Sequence, residues 1–479
     1  MSKLFDASRT KSQLTLNGAV THESSLNKNL DLFFKIGTLR KNPEIVSEDM
    51  FWQAFSEDSD YAIRVLLYSR DIRGGMGERN IFRKTFKTIC NQNPNLASRL
   101  LVKIPELGRW DDVLEAIGTP VEKEALKFLQ QGLTDKTYAS LCAKWMPRMR
   151  GNNTIKNISN AKTLAKFLKL TYQEYNKFLS SLSDTVEQDL SKREYSGIDY
   201  SKLPSLAAAR YQALFNRVDT ERYTKYKESL VKEDGTAKIN AGAVYPYDII
   251  KSVMHGDSTV ANAQWKALPD YTEGSSENVI CLADVSGSMS FPGANVSGDI
   301  YALHVGIALS IYLAERNTGI FKDQMMAYST NPYFIDLGKN MTLKQKLSKV
   351  QEHVEYGTTD IIKAFSRILE LGIDHQLTQE DMPSKVIIFS DMEFNQAVSG
   401  MTNFEAIKMS YANCGYEMPQ LVFWNLTSHQ KGNIPVQVGQ KGTALVSGFS
   451  TATMKGVLSG ELDPVKVMQK LINVSRYDF

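Results

Sequence analysis

The chain has 479 residues, 42% of them hydrophobic, enough to bury more than one sizeable core and to form two or three domains. Its net charge of +3 hides a split: residues 1–270 hold 40 Lys and Arg against 32 Asp and Glu, a net +8, while 271–479 carry a net −5. That asymmetry is expected where one half meets a polyanion, and the absence of any apolar run near ~20 residues excludes a membrane-spanning helix.

The first residues, Met1 to Arg9, lack the apolar stretch of a signal peptide. The four cysteines, Cys90, Cys142, Cys281 and Cys414, are too widely spaced for a zinc or redox motif. The expectation is a cytoplasmic protein without a disulfide framework. Residues 1–30 read as a polar arm with little regular structure of its own.

From about Leu30 to Leu230 the apolar spacing is helical, as in Ile63, Leu66 and Leu67, and in Leu164, Ala165 and Leu168. Breaks at Gly74-Gly75-Met76-Gly77, Asn93-Pro94, Gly118-Thr119-Pro120 and Gly151-Asn152 cut this run into pieces. Such spacing predicts stacked helical hairpins of the HEAT type, about 40–47 residues per unit. The phrase Gly74-Gly75-Met76-Gly77 lacks the Lys-Ser/Thr ending and preceding strand of a P-loop, so nucleotide binding there is rejected.

Two stretches of this half contain no acid. Arg79–Lys103 includes Arg79 and Arg83; Lys136–Gln173 includes Lys144, Arg148, Arg150, Lys156, Lys162, Lys166 and Lys169. Lys162, Lys166 and Lys169 follow i, i+4, i+7, which predicts one cationic helix face opposite Leu164, Ala165 and Leu168. A single such stripe is ordinarily a solvated face; two acid-free stretches in one basic half make phosphate binding a competitor. Tryptophan stands beside cations in Leu107-Gly-Arg109-Trp110 and in Ala143-Lys144-Trp145-Met-Pro-Arg148; at Trp145 unpaired bases could stack, the alternative being a core tryptophan.

Residues 231–276 read as a loop, a short helix near Tyr247–Met254, and a linker near Asp270–Glu277. Beyond it, apolar strands alternate with helices. Strands are expected at 279–284, Gln324–Tyr328, Tyr333–Leu337, Val386–Phe389, Gln420–Trp424 and Ala444–Ser447. Helices are expected at Tyr301–Leu313, Thr342–Val354, Ile361–Leu371 and Pro464–Val474. This alternation predicts a doubly wound parallel sheet.

The first of those strands ends in Asp284-Val-Ser286-Gly-Ser288, an acid and two hydroxyls at alternate positions. A loop at a strand end can aim all three at one hard cation, though the pattern alone occurs in many turns. Two later stretches add oxygen ligands at strand ends, where open α/β sheets gather their sites. They are Tyr356-Gly357-Thr358-Thr359-Asp360, ahead of a helix, and Lys385-Val-Ile-Ile-Phe-Ser390-Asp391.

Together these three elements, in this order, resemble a von Willebrand factor A domain and its metal-ion-dependent adhesion site. The resemblance implies that Asp284, Ser286, Ser288, Thr359 and Asp391 hold a divalent cation, Mg²⁺ first among them, able to take an acidic residue of a protein partner. Thr358 stands next to Thr359, but Thr359 precedes Asp360 as the family's threonine usually does. Ligand type alone does not separate Mg²⁺ from Mn²⁺ or Ca²⁺.

With the helical half, the phrases Ala143–Arg148, Ile198–Ser205 and Phe389-Ser-Asp-Met-Glu-Phe394 resemble the Ro autoantigen, or TROVE-module, family. The chain departs from it at Gly357-Thr358, where the family commonly shows two glycines. The resemblance implies a helical-repeat ring or horseshoe over residues 1–270, closed by the A domain over 277–479. It implies a monomeric ring that binds structured or misfolded noncoding RNA, with no DNA or membrane partner. The RNA ligands on this reading are Arg79, Arg83, Lys144, Arg148, Arg150, Lys156, Lys162, Lys166 and Lys169. No histidine neighbours Ser286 or Ser288, so the expectation is a binding protein and not an enzyme. The competing reading is a metal-dependent protein-interaction module without RNA.

Overall fold

The computed structural model describes residues 12–38, 40, 48–149, 153–232, 238–255, 258–274, 277–397, 400–428, 432–458 and 460–479. Their contacts divide into two compact units, each discontinuous in sequence. One comprises Met1–Ser69, Gly74–Met76 and Ala241–Arg476; the other Arg70–Arg73, Gly77–Asn240 and Tyr477–Phe479.

The first unit is built on a six-stranded sheet. In chain order, two short strands β1 (Ser12–Leu14) and β2 (Val20–His22) form a separate hairpin, and β3 (Val279–Asp284) begins the sheet. A second small hairpin, β4 (Asn295–Ser297) and β5 (Ile300–Tyr301), follows. The sheet continues with β6 (Gln324–Tyr328), β7 (Tyr333–Asp336), β8 (Lys385–Ser390), β9 (Gln420–Asn425) and β10 (Thr443–Ser447), in the spatial order β10-β9-β8-β3-β6-β7.

Every residue of β3 and β8 is buried. Burial on both faces is what continuous apolar runs such as Val-Ile-Cys-Leu and Val-Ile-Ile-Phe require. Neighbours pair in parallel except β6 and β7, which are antiparallel. The sheet is therefore mixed and not wholly parallel as its alternating pattern suggested. The reason is the connection: only residues 329–332 separate β6 from β7, too few for a crossover. The helix Ala302–Arg316 is buried along most of its length, in keeping with its nearly unbroken apolar sequence.

Residues before Ser69 belong to this unit as well. In the helix Lys28–Ile36, capped by Asn27, the Phe33 carbonyl accepts a hydrogen bond from Ser447 Oγ at 2.9 Å. Tyr68 and Thr453 share a buried hydroxyl contact of 2.8 Å. The helix Asn403–Asn413, not foreseen in the periodicity, opens on a capping box between Thr402 and Glu405.

The second unit is helical. Its longer helices are Asn80–Gln92, Glu122–Thr134, Ile155–Phe167, Tyr172–Leu182 and Thr220–Val231, joined by shorter turns of helix. A Cβ on Gly132, inside the second of these, would meet the Trp110 ring at 2.5 Å, so the ring and that helix can close together only over a glycine. Buried Arg70 and half-buried Arg83 converge on the fully buried Asp112, at 2.7 and 2.5 Å. No described helix is long and apolar enough to cross a membrane.

Candidate functional site

The parallel register places Ala283 of β3 beside Phe389 of β8, so Asp284 and the Ser390-Asp391 pair leave adjacent strands at the same edge of the sheet. The Asp284 carboxylate accepts the Ser286 N–H at 3.0 Å and the Ser390 hydroxyl at 2.6 Å. Ser286 Oγ lies 3.1 Å from Ser288 Oγ and accepts the Thr359 hydroxyl, also at 3.1 Å. Gly287 N–H donates to the Gly357 carbonyl at 3.1 Å, which ties the two loops together. The structure thus gathers Asp284, Ser286, Ser288, Thr359 and Asp391 at the carboxyl ends of the central strands. All are buried except half-buried Ser288.

Burial, and next the neighbouring Asp391 charge, push the Asp284 carboxyl up to about 7, against the pull of its Ser286 and Ser390 hydrogen bonds. Tyr328, paired with Asp284 across β6, is held well above the usual tyrosine range by burial and then by the same two acids. Two carboxylates and three hydroxyls are a hard-oxygen set, and the acids already repel one another. A divalent cation between them would relieve that repulsion, so these residues fit the ion. The Asn425 amide, beside Ser390 at the end of β9, is buried without a hydrogen-bond partner among the described residues and adds unused polar capacity at this end of the sheet. Among the described residues no three His, Cys, Asp or Glu side chains cluster as an alternative metal centre.

Asn395 and Ser390 were missed in the sequence. Asn395 Oδ1 accepts the Thr359 N–H at 3.1 Å, its own N–H donates to the Thr359 carbonyl at 2.8 Å, and its Nδ2 donates to Thr358 Oγ1 at 2.9 Å. A lone asparagine four residues past an acid carries no motif; only the fold reveals it.

A family profile described as Domain of unknown function, DUF2828, matches residues 15–105 and 121–276, just over half of the chain. The chain belongs to the DUF2828 family. A second profile, Domain of unknown function DUF7788, matches residues 278–473, the segment that carries the six-stranded sheet. An uncharacterized protein, L728, of Acanthamoeba polyphaga mimivirus is 26% identical over 499 residues, covering 93% of this chain and 84% of that protein. Among solved structures, the crystal structure of the Ro (RSR) protein of Deinococcus radiodurans matches with a TM-score of 0.50 and 14% identity, over 94% of this chain and 99% of that one. The likeness is one of fold.

Within the DUF2828 region, the basic residues singled out in the sequence fall into two groups. Most are engaged. Lys144 pairs with Glu187 at 3.1 Å, Lys156 with Glu115 at 2.7 Å, and Arg83 with Asp111 and Asp112. The Arg148 guanidinium donates to the Asn176 and Ala143 carbonyls and to Ser183 Oγ. Arg109 lies 3.6 Å over the Trp145 ring, so one stacking face of that half-buried indole is covered. Arg150 lies outside the described residues.

The rest face solvent. Lys162 and Lys166 are exposed on the helix Ile155–Phe167, opposite buried Leu164 and Ala165. Lys169 is exposed too, but lies beyond the helix in a left-handed turn (φ 57°), so the expected three-residue helical stripe is two residues and a turn. Arg79, also exposed as a residue, precedes the helix Asn80–Gln92; partial burial first, then Arg109 and Arg83, lower its pKa against the pull of Asp111 and Asp112.

Proposed function

We propose that this protein is an RNA-binding ribonucleoprotein component of the cytoplasm, with a divalent-cation site for a further partner. The observation that carries the reading is the fold shared with a Ro protein over 94% of the chain. The Ro family, which the sequence also resembles, binds structured noncoding RNA. On this reading the helical part is a HEAT-like ring, the protein is a monomer, and the sheet is a von Willebrand factor A domain.

Among the described basic residues singled out in the sequence, exposed Lys162, Lys166, Lys169 and Arg79 are free to meet phosphates; the paired Lys144, Lys156 and Arg83 shape the fold instead. Asp284, Ser286, Ser288, Thr359 and Asp391 would hold Mg²⁺, which when bound offers an open position to a carboxylate oxygen of an acidic partner. The Ser286 hydroxyl lies against Ser288 and Thr359, which supports ligation over nucleophilic catalysis.

A titration of duplex RNA with and without a single-stranded 3′ tail tests this reading. The tailed RNA is expected to bind more tightly, and chelation of divalent cations by EDTA to leave that preference in place. Failure to bind either RNA at about 50 mM salt, where phosphate contacts are strong, would overturn it. The compact acid–hydroxyl cluster favours one second reading, a cation-dependent protein-interaction module. That reading requires capture of an acidic partner that EDTA abolishes.

A further inference from the structure

The loop that leaves β8 carries Asp391, and its next residues are gripped from two sides. On one side is the β1–β2 hairpin, whose strands pair Ser12 with His22, Gln13 with Thr21 and Leu14 with Val20. Strands of three residues stabilise little alone, so the hairpin depends on what it is docked against. Thr15 Oγ1 donates to the Phe394 carbonyl at 2.7 Å, Leu16 N–H to the Glu393 carboxylate at 2.7 Å, and Asn17 Nδ2 to the Glu393 carbonyl at 2.6 Å. Gln396 N–H returns a bond to the Asn17 carbonyl at 3.2 Å, and Gly18 bridges Asn395. The turn that makes this possible passes through Gly18 at φ 84°.

On the other side is the acid–hydroxyl site. Glu393 N–H donates to the Asp391 carboxylate at 3.1 Å, and Asn395 holds both backbone groups of Thr359. Residues 393–396 are therefore shared: their backbone is pinned by the N-terminal hairpin and in turn pins two of the five oxygen donors.

We infer that the β1–β2 hairpin is a clamp that sets the affinity of the cation site, with Glu393 and Asn395 as its positioning residues. The inference rests on the proposed cation site. An undocked hairpin leaves the 391–396 loop to be ordered by the ion itself, and that ordering cost is subtracted from binding. Partners behind the direct ligands typically tune metal affinity about 10–100-fold. Linkage makes the effect reciprocal: if docking tightens cation binding, the cation must tighten docking.

The test uses the full chain, with Mg²⁺ affinity read by competition against Tb³⁺ luminescence and hydrogen exchange followed over residues 12–22 and 391–396. In the wild type, adding Mg²⁺ is expected to slow exchange in the hairpin as well as in the loop. The double variant Thr15→Val with Asn17→Ala, which removes two hairpin-to-loop bonds and touches no proposed ligand, is expected to weaken Mg²⁺ about ten-fold or more. Unchanged affinity in the double variant, or hairpin exchange indifferent to Mg²⁺, overturns the clamp. Should the double variant fail to fold, the wild-type exchange result decides alone. Loss of the cation signal in Asp284→Ala with no change in the hairpin variant sinks the clamp but keeps the cation site; a wild type that binds no cation sinks both.

Discussion

Thr359 Oγ1 donates to Ser286 Oγ at 3.1 Å although the two buried residues stand 73 positions apart in the chain. Such a bond needs the loop after β3 and the turn before the helix Ile361–Asp374 to be brought together by the sheet. It is a contact that joins two sequence phrases far apart in the chain.

Adding Mg²⁺ is expected to raise the unfolding midpoint of the sheet unit, since a ligand bound only by the folded state stabilises it by about 2.7 kcal/mol at a hundred times its Kd. Asp284→Ala and Asp391→Ala should both abolish the shift, and Thr359→Val should reduce it. Calorimetric scans with Mg²⁺ and with EDTA read this out. A wild type whose midpoint ignores Mg²⁺ would refute it.

The helical unit has its own weak point. Asp112 is fully buried and accepts from both Arg70, 1% exposed, and Arg83. Asp112→Ala leaves the Arg70 charge buried without its partner, a change that costs about 3–5 kcal/mol. Urea unfolding followed by a probe in this unit should show a loss of that size; a loss under about 1 kcal/mol would mean that the pair is dispensable.

Asp248 offers a pH test. Burial raises its carboxyl to about 6, only partly opposed by the hydrogen bond from Tyr245 N–H and by the Arg40 charge. A folded-state pKa above the unfolded value means that the charged form is penalised. The penalty is full above pH 6 and fades as pH falls through 6 toward 4. At 1.36 kcal/mol per unit it amounts to about 3 kcal/mol. Asp248→Asn should therefore be more stable than wild type at pH 8 and equal to it near pH 4. Equal stability at pH 8 would contradict this.

Much of the sheet was legible because both faces of β3 and β8 are covered, and such strands announce themselves as unbroken apolar runs. The acids and hydroxyls that the fold brings together were legible as strand-end and helix-start residues because each closes such a run or opens a helix. The β1–β2 hairpin was not: its bonds reach partners some 380 residues away, and three-residue polar strands leave no periodicity. The basic half shows the opposite error. Lys144 and Lys156 lie in a stretch without acids, yet Glu187 and Glu115, 43 and 41 residues distant, reach them in the fold. A stretch without acids in sequence is not a surface without acids in space. Lys162, Lys166 and Lys169 retain their exposure and make no ion pair among the described residues.

Those three lysines are the phosphate-docking cations of the proposed RNA interface, and the salt dependence of RNA affinity reads their contribution. Each phosphate contact contributes about 0.7–0.9 to the slope of log affinity against log salt. Tailed duplex RNA would be titrated at several salt concentrations against wild type and against the variant Lys162→Glu, Lys166→Glu, Lys169→Glu, with circular dichroism showing that both are equally helical. A steep slope is expected for the wild type and a slope smaller by about 2–3 for the variant, with affinity at least ten-fold weaker at low salt. A variant with the affinity and slope of the wild type, or a wild type with no salt-dependent RNA binding, would contradict it.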